Sequence, residues 1–161
     1  MRDINRPLLL GMNQPVAGAT PLDPTILGSA GHRLYQMLNA YRETTLEAYE
    51  SAFERANVLD GTEWSADRAR ASGVAAQARL RGRRVVLLGR AVLVSLRLPA
   101  VPLADRWGAT WYTNQITFMP EPNSTFYYCP IPHPSGLCHS YNDPGVRLVV
   151  GRLLWGLMSG G

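Results

Sequence analysis

The chain has 161 residues, 46% of them apolar and 17% charged, with a net charge of +4. That is enough chain for one domain spanning 1–161 around a buried core, and it is too apolar and too sparsely charged for a disordered segment. No run approaches the roughly 18 apolar residues of a membrane span, and the two cysteines exclude a four-thiolate zinc or iron–sulfur centre.

All sixteen basic residues are arginine. Guanidinium forks suit phosphate recognition, so the mild basic bias is compatible with a nucleic-acid partner as well as with a solvated surface. Met1-Arg2-Asp3 lacks a signal-peptide pattern, and the expectation is a cytoplasmic monomer, in the host cytoplasm if the source is viral. No cofactor motif and no metal-ligand set is read.

Leu8 to Gly11 reads as the first core strand, an apolar run stopped by glycine. Asn13 to Leu27 carries Pro15, Gly18, Pro21 and Pro24 and is too punctuated for a helix or strand; it reads as a long functional loop. Ser29 or Gly31 opens a helix with Leu34, Met37, Leu38 and Tyr41 at helical spacing. A short helix follows through Leu46, Tyr49 and Phe53, then a weak strand from Arg55 to Leu59. Ser65 caps a helix over Ala66 to Leu80, whose bulky apolar residues are only Val74 and Leu80. Arg79, Arg81, Arg83 and Arg84 read as a solvated connection. Arg84 to Gly89 is the clearest strand, continuous and β-branched, and Arg90 to Leu96 starts the next helix.

Trp107 to Thr117, rich in aromatics and threonine, and the last strand read either as a hairpin or as an edge addition to the sheet. Met119 to Asn123 reads as a turn, and Thr125 to Cys129 as the last strand. Cys129 and Cys138 flank the loop Pro132-His133-Pro134-Ser135-Gly136. A disulfide between them is sterically conceivable, though free thiols suit a reducing cytosol better. Asp143-Pro144 supplies an N-cap and first helical residue for a final helix to about Trp155. The pattern predicts a three-layer αβα sandwich with a mostly parallel sheet of four or five strands.

Several of these segments, in this order, resemble the uracil-DNA glycosylase superfamily. Gly11-Met12-Asn13 resembles the Gly-Met-Asn-Pro motif of the single-strand-selective monofunctional branch and the Gly-Ile-Asn-Pro motif of the mismatch-specific branch. Gly28-Ser29-Ala30-Gly31-His32-Arg33-Leu34 resembles the Gly-x-Ala-Gly-x-x-Leu segment of the iron–sulfur branch. Arg55-Ala56-Asn57-Val58 resembles that branch's Thr-Asn-Val segment, Val85 to Gly89 its Val-rich strand, and His133-Pro134-Ser135 its second catalytic motif.

The resemblance implies a uracil-DNA-glycosylase-like fold and a DNA-directed hydrolase of N-glycosyl bonds, serving DNA repair or DNA modification. It implies that Asn13 holds the attacking water and that His133 stabilises the leaving pyrimidine at O2. Gly11, Met12, Gln14, Asn57, Ile26 and Ser135 would line the substrate site, with Asn57 reading the base edge. Leu137, with Tyr141 next, would fill the stack left by base flipping. Arg90 and Arg147 would meet phosphates around the same cleft. Two departures point to a modified or damaged pyrimidine. Gln14-Pro15 replace the usual Pro-Gly, and Ile26-Leu27 stand where an aromatic stacks on the base. The alternatives are a transferase or processing enzyme in pyrimidine hypermodification of viral-type DNA on the same fold, or an inactive DNA-binding relative.

Overall fold

A computed structural model describes residues 6–98, 118–123, 125–134 and 139–160. The elements, in chain order, are β1 (Leu8–Gly11), α1 (Ala30–Tyr41), α2 (Leu46–Ala52), β2 (Glu54–Asn57), α3 (Ala66–Leu80), β3 (Arg84–Leu88), α4 (Arg90–Ser95), β4 (Met119–Pro120), β5 (Tyr127–Ile131) and α5 (Pro144–Met158). A 3-10 turn over His139–Asn142 precedes α5. Among the described residues the sheet has five strands in the order β2-β1-β3-β5-β4. The first four run parallel, and β4 pairs antiparallel with β5. The expected α/β architecture, a mostly parallel sheet between helical layers, is what the structure shows.

Apolar strand runs are continuous because both faces of the sheet are covered. Leu9, Val86, Leu88, Cys129 and Ile131 pack with α1, α2 and α5. The alternate residues Leu8, Leu10, Val85, Leu87 and Tyr128 pack with α3 and α4. The period of two thus sorts each strand's side chains between two cores. Cys129 is a free thiol in the first core, and burial pushes its pKa up to about 12. It is inert packing at neutral pH.

Three helix starts follow the polar side chains read as caps. Ser29, Ser65 and Asp143 accept from the backbone N–H of His32, Arg68 and Gly145. Helix α3 differs from expectation. Val74 faces solvent, and the buried face is Ala69, Gly73 and Leu80. Small residues let α3 approach α4 closely; a Cβ on Gly73 would stand 2.0 Å from the Ser95 carbonyl oxygen.

The basic run also differs. Arg83 is 2% exposed, and its guanidinium donates to the Glu54 carboxylate at 2.6 Å and to the Arg6 carbonyl at 3.2 Å. The charge is buried because β3 begins beside β1 and near the start of β2. Met119-Pro120, read as part of a turn, forms the short edge strand β4, where proline is tolerated because its missing N–H costs no ladder bond. The turn itself is tied by Glu121, whose carboxylate accepts from Asn123 N, Thr125 N and Thr125 Oγ1. Trp107 to Thr117 lie outside the described residues. No described helix is long and apolar enough to cross a membrane.

Candidate functional site

After β1 the chain crosses to β2 on one side of it, then to β3 on the other. Beyond the C-terminal ends of β1 and β3 lies the crevice where open α/β sheets bind ligands. A cleft of about 550 Å³ occupies that position. Met12, Asn13 and Gln14 line it from the end of β1, and His133 lines it from the end of β5. Leu22, Asp23 and the Gly28–Gly31 segment that opens α1 form the facing wall, with Thr62 at one side. Two residues 120 positions apart, Asn13 and His133, therefore share one cleft, as 133 minus 13 gives.

Backbone pairing carries β1 past its last strand residue. Gly11 O and Met12 O accept from Val58 N and Leu59 N, and Gln14 N donates to Gly61 O at 2.9 Å. Gln14 is committed further, its Nε2 donating to Ala19 O at 2.7 Å. Asn13 sits between these anchored residues, partly exposed in the cleft.

His133 leaves β5 directly over the end of β3. Gly89, at φ +95, passes so close that a Cβ there would stand 2.8 Å from His133 Cβ. Gly89 N also donates to Ile131 O at 2.9 Å. Glycine at this position serves both the backbone angle and the approach. Burial holds the His133 imidazole below its ordinary pKa of 6.5, so near neutral pH the ring is uncharged with one N–H to donate.

The lowered value has a consequence for stability. The unfolded chain binds the His133 proton near pH 6.5, the folded chain only at lower pH. The contribution is therefore fully present above about pH 6.5 and is lost as pH falls toward the folded value. Chemical denaturation from about pH 7.5 to about pH 5 should show a steeper loss for the wild type than for His133→Gln. Parallel curves would mean that the imidazole is not buried as described.

Asn57 lies opposite Gly11 in the β1–β2 register. Its amide packs over that glycine; a Cβ on Gly11 would meet Asn57 Oδ1 at 2.7 Å and Leu22 Cδ2 at 3.0 Å. Both Asn57 Oδ1 and Nδ2 are buried without a hydrogen-bond partner. A buried polar atom left unpaired costs about 1–3 kcal/mol; Asn57 and Gly11, both expected to line the substrate site, are not among the residues that line the cleft.

Leu22 in the cleft wall is a buried non-glycine residue at φ +50. Its conformation is imposed by its neighbours. The Arg55 guanidinium donates to Leu22 O at 3.3 Å, and the Asp23 carboxylate closes a turn by accepting from Thr25 N and Oγ1. Those bonds from Thr25 also hold the Asp23 carboxyl below the usual range.

The other expected site residues fall as follows. Ile26 is partly buried but is not part of the cleft wall, and Leu27 is 83% exposed; Leu22 supplies the apolar wall instead. Nothing local in the sequence singles out Leu22, because its backbone angle is set by Gly31 and Arg55. Ser135 and Leu137 lie outside the described residues, as does Cys138.

Tyr141, expected as a second wedge, is buried, with its hydroxyl donating to Pro132 O at 2.6 Å. It braces the His133 loop from within and is not presented for insertion. Neither Arg90 nor Arg147 lines this cleft. Arg90 borders a hollow beside Trp64 and Arg70, and Arg147 borders one between α1 and α5. Among the described residues no group of three or more His, Cys, Asp or Glu could hold a metal ion.

A scan of protein-family models finds none that matches this chain, and a search of curated proteins finds no match either.

Proposed function

We propose that the chain is a DNA glycosylase-like enzyme that hydrolyses the N-glycosidic bond of a flipped, modified or damaged pyrimidine nucleotide. The observation that carries this reading is the shared cleft of Asn13 and His133 at the switch point of the sheet. The motif resemblance of Gly11-Met12-Asn13 and His133-Pro134-Ser135 to the uracil-DNA glycosylase superfamily supports it.

In the reaction the C1′–N1 bond breaks and its electron pair leaves with the base, spread over N1 and O2. The sugar passes through an oxocarbenium-like state. The neutral His133 N–H donates to O2 as negative charge develops there, which lowers the barrier electrostatically. A neutral imidazole suits this role, because it donates without first having to lose or gain a proton. The Asn13 carbonyl accepts from a water on the sugar's opposite face and aims its oxygen at C1′. The water forms the new C1′–O bond and sheds its proton to solvent. An amide suffices, since the cationic sugar needs an oriented water more than a strong base.

The unpartnered Asn57 amide is suited to a ligand edge bearing both a donor and an acceptor, which a pyrimidine's Watson–Crick edge provides. Leu22 offers an aliphatic wall where the superfamily has an aromatic one, which favours a C5-extended pyrimidine over plain uracil.

The test is incubation with oligonucleotides carrying uracil or C5-substituted pyrimidines, read by mass spectrometry. Loss of the base with an abasic site left behind is the expected result. A mass change on a retained base would replace hydrolysis with hypermodification chemistry. Binding without turnover, unaffected by His133→Ala, would reduce the protein to a DNA-binding module.

A further inference from the structure

On the other side of the His133–Pro134 turn lies a second cavity, of about 540 Å³, between α1 and the start of α5. Arg33 and Gln36 line it from α1, Arg147 from the first turns of α5, and Pro134, Tyr141 and Asn142 from the segment between. None of the described residues lining it is acidic. The only ion pairs among the described residues are Arg70–Asp67 and Arg83–Glu54, so neither lining arginine is neutralised by a described carboxylate.

Both arginines are nonetheless tethered. Arg33 Nε donates to Gly28 O at 3.3 Å, and Arg147 Nη1 donates to Tyr141 O. A free surface arginine keeps its rotamer entropy; these two line one hollow from α1 and α5 and are each tethered by a backbone carbonyl. Each retains further N–H donors for a ligand.

The two cavities share a thin wall. His133 lines the first and its neighbour Pro134 the second; Gly28 lines the first and accepts from Arg33 of the second. A ligand that fills both carries a flat polar group in one and an anion in the other. Two forks from two helices suit a tetrahedral phosphodiester better than a planar carboxylate, which one fork satisfies.

We propose that the α1–α5 cavity is a phosphodiester site, in which Arg33 and Arg147 hold one backbone phosphate of a DNA strand whose neighbouring nucleotide occupies the Asn13–His133 cleft. The proposal rests on the nucleotide reading of that cleft, but its test requires no turnover.

The probe is a fluorescent single-stranded DNA oligonucleotide with one central uracil, titrated from about 50 to about 200 mM salt. Arg33→Gln and Arg147→Gln should each weaken binding and flatten the slope of log K against log salt by about 0.7, the value for one phosphate contact on a single strand. Arg70→Gln, on a different face and paired with Asp67, should leave the slope unchanged.

A series with single phosphates replaced by neutral methylphosphonates then locates the contact. One position should weaken the wild type and leave Arg33→Gln indifferent. Wild-type affinity and slope in both variants would overturn the site. So would a cavity that takes inorganic phosphate in an Arg33-dependent way but ignores the oligonucleotide. Loss of slope without base release from any substrate would uphold the phosphate site and sink the glycosylase reading alone. Base release that depends on His133, with both arginine variants binding normally, would do the reverse.

Discussion

Replacing His133 with Ala is expected to slow base release by roughly 10²–10³-fold while changing oligonucleotide affinity little, in line with the loss of one preorganised oxyanion donor. The asymmetry follows from when the charge appears. In the bound nucleotide O2 is an ordinary carbonyl, and water replaces the missing donor at small cost. As the glycosidic bond breaks, O2 gathers the leaving electron pair inside a cleft from which bulk water is displaced. There a fixed N–H is worth far more than in solution.

Asn13→Ala should act on the same step by releasing the positioned water, again with binding nearly intact. Single-turnover rates with saturating enzyme separate the chemistry from binding, and thermal melts of each variant guard against loss of fold. Gly89 makes that control necessary, since His133 packs directly on it and an Ala leaves space there. His133→Gln, which can still offer an N–H, should recover part of the rate. Undiminished release by His133→Ala would remove the proposed stabilisation of O2 and turn attention to chemistry at C5.

The elements that sequence made legible are those whose signal is local. Leu8 to Gly11 and Val85 to Gly89 announce buried parallel strands because both faces need apolar residues. Ser29, Ser65 and Asp143 announce helix starts because a short oxygen-bearing side chain can reach the free N–H groups of the first turn.

What stayed hidden was set by partners distant in sequence. Arg83 sits in a run of arginines, and its burial depends on Glu54, 29 residues earlier. Val74 looks like the core residue of α3, yet the helix turns its small face inward because Gly73 must meet the Ser95 carbonyl. The site shows the same division. Asn13 and His133 stand in recognisable segments, and the structure brings both to one cleft. Leu22 does not stand out, because a leucine acquires a positive φ only when tertiary contacts force it. Arg90 and Arg147 occupy helix starts that suggest phosphates at the cleft, yet they border other hollows.

The same substitution, glycine to alanine, is expected to act with opposite signs at two helical positions. In α1, Gly31 faces the loop that walls the cleft. A Cβ there would stand 2.2 Å from Leu22 O and 2.9 Å from Asp23 O. Neither carbonyl can easily retreat. Arg55 holds Leu22 O, Ser29 Oγ donates to Asp23 O at 3.2 Å, and the Leu22 side chain is buried over Gly11. Gly31→Ala must therefore unwind the first turn of α1 or lift the loop from the sheet. Overpacking of this kind costs roughly 3 kcal/mol, which lowers Tm by about 6–12 °C in a domain of this size.

In α5, Gly156 is exposed, with nothing within 4 Å of an added Cβ. There alanine only removes backbone freedom from the unfolded chain, and Gly156→Ala should stabilise by about 0.5–1 kcal/mol. Differential scanning calorimetry of the two variants gives both signs in one experiment. A Gly31→Ala protein that melts with the wild type would show that Leu22 does not press on α1. Its cleft would then lack the fixed wall that seats Leu22 over Gly11 beside the Asn57 amide. If Gly31→Ala is instead destabilised as expected, ligand affinity should fall at temperatures well below its melt. The loop that must lift is the one that shapes the cleft, and it opens locally before the sheet unfolds.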